Sequence, residues 1–123
     1  MSQKVDFTTF KSDYTITNLP AHSGGANNYT LTKVGNIVIL NIAQLWSDTP
    51  PSVSAWTTLG NLPSSLAPSK DQRAIVEIND AGGVFKSLAI LKAATSGELG
   101  VFVFQSGATG LTNVGGGMLV WAI

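Results

Sequence analysis

The stretch "NYTLTKVGNIVILNIAQL", Asn28 to Leu45, narrows the folds open to this chain more than any other. Two runs rich in β-branched residues flank Val34-Gly35-Asn36, where glycine supplies the positive φ that a tight hairpin needs, so the segment reads as a β-hairpin. In the second arm Val38, Leu40 and Ile42 face one way and Ile37 and Ile39 the other. Both faces of that strand are therefore apolar. One is expected to meet the core and the other a second subunit or a covering loop.

Downstream, strand-forming runs alternate with turn residues. "WSDTPPSVSAW" is a loop with a tryptophan at each end, because Pro50 and Pro51 have no N–H to give a sheet. A short strand from Trp56 to Leu59 runs into a second long loop, "GNLPSSLAPSKDQ". The strands "RAIVEIND", "VFKSLAILK" and "ELGVFVFQ" follow, joined by the turns "AGG" and "AATSG". A glycine-rich loop, "SGATGLTNVGGG", leads to a last strand, "MLVWAI". The best helical candidate, "SLAILKAA", carries β-branched Ile90 and sits between turn signals, so strand is preferred there too. The pattern predicts an all-β fold, an antiparallel β-sandwich or jelly-roll-like barrel of about seven strands, with the apolar C-terminus woven into the sheet.

At 123 residues the chain suits one domain. It is 44% hydrophobic and only 11% charged, more apolar material than a small monomer buries, which points to a subunit interface. Seven basic and seven acidic residues cancel without a basic run, so nucleic acid is not an expected partner. Without cysteine the fold rests on packing, with no disulfide or thiolate metal site. The N-terminal sequence lacks the apolar run of a signal peptide, and no apolar stretch reaches the roughly 18 residues of a membrane span.

Reactive groups are sparse. His22 lies in the polar segment "AHSGGANN" with no carboxylate nearby in sequence to orient it. Glu77 and Glu98 could be imagined as a glycosidase pair with Asp48 or Asp80, but Glu77 reads as a solvent-facing strand residue and Glu98 follows a turn. The chain is therefore expected not to be an enzyme. Metal-ligand spacing is missing, "AGG" and "GGG" lack the following helix of a phosphate cradle, and no cofactor is expected. Aromatic and small polar loop residues suit a neutral polar ligand, with sugars the obvious class. Trp46, Asp48 and Trp56 are the candidate saccharide-binding residues, although each tryptophan competes with a plain core-filling role. Trp121, inside the last strand, reads as structural.

Taken in order, "YTLTKVGNIVILNIA", a tryptophan-bearing loop, "WTTLGNLPSSLAPSKD", "NDAGG", "LAILKAATSGELGVF" and "GGGMLVWAI" resemble the head domain of bacteriophage receptor-binding and tail-fibre proteins, particularly of phages infecting Gram-positive bacteria. The resemblance covers residues 28–123 as the β-sandwich head and leaves 1–27 as an N-terminal arm or attachment segment. It implies a homotrimer at the tail tip or baseplate, in contact with other tail proteins and binding host cell-wall or envelope saccharides. Membrane association is not implied, and a virion released by lysis needs no export signal. In that family pattern the leucine-proline segment is a crossover between sheets, stiffened by Pro63 and Pro68, with Leu62 and Leu66 tucked beneath it. Some such heads hold sugar with a His and an Asp on the strand matching "SLAILK"; here Leu88 and Ile90 stand there, with Phe102 or Phe104 further along. A structural virion protein on the same fold, or a cellular lectin, are the alternatives.

Overall fold

The computed structural model describes residues 10–105 and 108–123. The chain is all-β and antiparallel: β1 (Lys11–Tyr14), β2 (Asn28–Val34), β3 (Ile37–Ser47), β4 (Trp56–Asn61), β5 (Gln72–Asp80), β6 (Phe85–Ala93), β7 (Glu98–Val103), β8 (Thr112–Gly115) and β9 (Gly117–Ala122). The expected hairpin is β2–β3, with Gly35 at φ +61° in its turn.

β3 organises the rest. Its first half lies between β2 and β9, and its last three residues pair with β8; beyond β8 the order is β5, β6, β7, β4. The sheet curls into a half-barrel. Its two ends meet at one bridge, where Thr17, just after β1, exchanges two 2.9 Å backbone hydrogen bonds with Asn61 at the end of β4.

Inside, Leu31, Leu40, Ile42, Val76, Leu91, Leu99 and Val101 form the middle of one continuous core. The long loop after β4 closes one side of it. Leu62 and Leu66 are buried there, Leu66 within a single 3-10 turn (Ser64–Leu66), and the Leu66 carbonyl accepts the Trp121 indole N–H at 2.8 Å. Trp121 is thus structural, and the leucine-proline segment is scaffold.

Two strands exceed the expected number. β1 is short and polar, so alternation gives no sign of it, and it forms because β2 offers a free edge in register from Leu31 to Val34. β8 hides within the glycine-rich stretch read as loop; Thr112 to Val114 are buried between β3 and β5. Gly115 allows this, since a Cβ there would lie 2.1 Å from the Ala43 carbonyl oxygen. Of residues 1–27, expected as an N-terminal arm or attachment segment, 1–9 lie outside the described residues; in the rest β1 pairs β2 and Ile16 enters the core.

Candidate functional site

A bulge in β3 decides where Trp46 goes. Tyr29 pairs with Ile42 but Asn28 with Gln44, so Ala43 is an extra residue, and the inward set Val38, Leu40, Ile42 resumes at Leu45 rather than Gln44. Trp46 is consequently turned away from the core. It is only 8% exposed all the same, because the loop between β1 and β2 lies across it, with Gly25 so close that a Cβ would fall 2.3 Å from the indole. Gly25 has φ +75°, a conformation that suits glycine. Asn27 Oδ1 accepts the Trp46 backbone N–H at 2.9 Å, while the indole Nε1 has no partner among the described residues.

Asp48 secures the same loop. Its Oδ1 accepts from the Ser23 backbone N–H and the Ser23 hydroxyl, each at 2.8 Å. These bonds hold the Asp48 carboxyl below its ordinary value, and the nearby His22 acts in the same direction. The His22 Nδ1 lies 3.0 Å from the Gly24 carbonyl, so His22 too is engaged with its own loop. Trp46 and Asp48 both hold the loop between β1 and β2 down. The Trp46 indole is covered by that loop, whereas Asp48 is exposed with its Oδ1 engaged by Ser23.

Trp56 stands elsewhere, at the start of edge strand β4, and is 42% exposed. Register places it in a row across four strands on the outer face: Ile75 pairs with Ile90, Ile90 with Phe102, and Phe102 with Trp56. The two rings lie 5.5 Å apart at 59°, and Phe104 continues the face edge-on to Phe102 at 5.9 Å.

The neighbouring row is polar: Arg73 pairs with Lys92, Lys92 with Gly100, and Gly100 with Thr58. The indole leans toward this row, where a Cβ on Gly100 would lie 3.6 Å from its Cε3. Lys92 Nζ sits 4.0 Å from the ring centroid and the Arg73 guanidinium carbon 6.0 Å away. Thr58 donates its hydroxyl hydrogen bond to Glu98 Oε1. Trp56, Thr58, Lys92, Glu98 and Gly100 together line a shallow depression of about 110 Å³.

Sequence reading singled out Trp56 but missed Arg73, Lys92, Thr58 and Gly100. They are spread over four strands, and only the pairing register brings them together. Glu98 falls in this depression with Thr58, whereas Glu77 lies in a different row, opposite Leu88. Asp80 caps the β5–β6 turn, accepting from Gly82 N–H at 2.9 Å and Val84 N–H at 3.0 Å, which lowers its pKa, and it pairs with Lys86 at 3.6 Å.

No protein-family model, curated protein or solved structure matches this chain.

Proposed function

We propose that this chain is the head of a phage receptor-binding or tail-fibre protein, a non-catalytic homotrimer at the tail tip that recognises host-envelope saccharides through Trp56. The observation that carries the reading is the exposed Trp56 indole beside a depression lined by hydroxyl, carboxylate and ammonium groups. An aromatic face packs on the apolar side of a pyranose, and polar groups at its edge accept or donate hydrogen bonds to sugar hydroxyls.

The assembly is supported by two apolar outer faces. Phe85, Leu88 and Phe104 are exposed together on one, and Ile37, Met118 and Val120 on the other. Two different patches on one subunit suit a head-to-tail ring, in which each copy sets one patch against the other patch of its neighbour. The resemblance stated above makes three copies the expected number, and the partner surfaces those of other tail or baseplate proteins.

The test is oligomeric state by light scattering, followed by a screen of bacterial envelope glycans with Trp56→Ala and Trp46→Ala. A trimer whose glycan binding is lost in Trp56→Ala and kept in Trp46→Ala supports the reading. A trimer that binds no glycan favours a structural virion protein, which the apolar Leu88 and Ile90 on the outer side of β6 already favour. A stable monomer overturns both.

A further inference from the structure

We infer that the saccharide taken at Trp56 is acidic, and that Lys92 and Arg73 receive its negative charge. This rests on the reading of Trp56 as a saccharide platform and replaces the neutral ligand that composition alone suggested.

Arg73 and Lys92 are direct cross-strand partners. Like charges in that position repel, and a chain with few charged residues has many uncharged alternatives for either place. Both nevertheless turn to the same indole. Among the described residues neither has a carboxylate within ion-pair distance, the one ion pair being Lys86 with Asp80 on another part of the sheet. The acid nearest in the depression, Glu98, accepts a hydrogen bond from Thr58 on the β4 side. The two cations therefore sit together at one half-exposed indole, with no ion-pair partner among the described residues.

A carboxylate or phosphate substituent answers that arrangement. Arg73 can meet either group with a forked pair of N–H donors and Lys92 with its ammonium, while the sugar ring rests on the open part of the indole. Glu98 makes the site directional, because an anion is favoured on the Lys92 side and repelled from the Thr58 side.

The experiment uses the full chain and an array of matched bacterial glycans. In one arm members differ only by a uronic acid in place of its neutral sugar, and in the other by the presence of a phosphate substituent. Binding is read on the wild type, Trp56→Ala, Arg73→Gln, Lys92→Gln and the double variant, at low and high salt, with inorganic phosphate as a separate probe. These side chains lie on the outer face, and thermal melts check that each variant folds. The expected result is acidic glycans bound about tenfold or more tighter than their neutral partners. That margin should shrink in each single variant, vanish in the double variant and fall with salt; the stronger arm identifies carboxylate or phosphate. Equal binding of acidic and neutral members, lost in Trp56→Ala, overturns the charge inference and leaves the saccharide site standing. Inorganic phosphate binding as tightly as the phosphorylated glycans overturns it in favour of a bare anion site. If no glycan binds, both readings fall.

Discussion

The Trp121 indole N–H donates a 2.8 Å hydrogen bond to the Leu66 carbonyl, tying the last strand to a turn 55 positions earlier. Both residues are buried, so water does not readily replace either partner. Trp121→Phe keeps an aromatic ring but leaves that carbonyl unpaired, and is expected to cost about 2 kcal/mol or more. Urea denaturation gives the value. An unchanged midpoint would mean that the loop carries the core closure without this bond.

Glycines at two places should fail for different reasons. Gly115→Ala sets a Cβ against the Ala43 carbonyl oxygen, a backbone atom that cannot swing aside, and is expected to cost about 3 kcal/mol or to prevent folding. Gly35→Ala meets no neighbouring atom and pays only for its positive φ, roughly 1 kcal/mol. Comparing the two by thermal melting separates crowding from conformational strain; similar losses would contradict the close approach of β8 to β3.

Trp46 is held beneath Gly25, and Gly25→Ala cannot be accommodated without moving the loop or the indole. In a Trp56→Phe background, where Trp121 is the other remaining fluorophore and stays buried, this substitution should raise acrylamide quenching and shift emission to the red. Glycan binding measured with Trp56 intact should persist in Gly25→Ala, because the two tryptophans serve different surfaces.

Asp48 gives the loop a pH response of known sign. Its folded carboxyl is held below the ordinary value of 3.8 by the two Ser23 donors. The stabilisation is therefore present above the unfolded-chain value and is lost as pH falls through the lower folded value. On acidification the Ser23 amide resonance should titrate with Asp48, below the range of an unperturbed aspartate. In Asp48→Asn that titration should disappear, and a persisting one would assign it to another group.

Much of the fold was legible because strand alternation is local. The β2–β3 hairpin, the strands from "RAIVEIND" to "ELGVFVFQ" and the structural place of Trp121 follow from short-range pattern and turn chemistry, whereas the burial of Leu62 and Leu66 was implied by the resemblance alone. β1 and β8 were not legible, since each is too short and polar or glycine-flanked to carry a period of its own. The placing of Trp46 failed to follow from parity because one extra residue, Ala43, reverses the faces downstream. Arg73 and Lys92 look unremarkable in sequence, nineteen positions from each other by their numbering, and acquire meaning only from cross-strand register.

β3 belongs to both regions of the curled sheet, pairing with β2 and β9 along one half and with β8 along the other. Loss of that strand removes partners from both regions at once, so neither half has a separate unfolding step available to it. A single calorimetric transition, with equal van't Hoff and measured enthalpies, is the expected thermodynamic signature of such a spine.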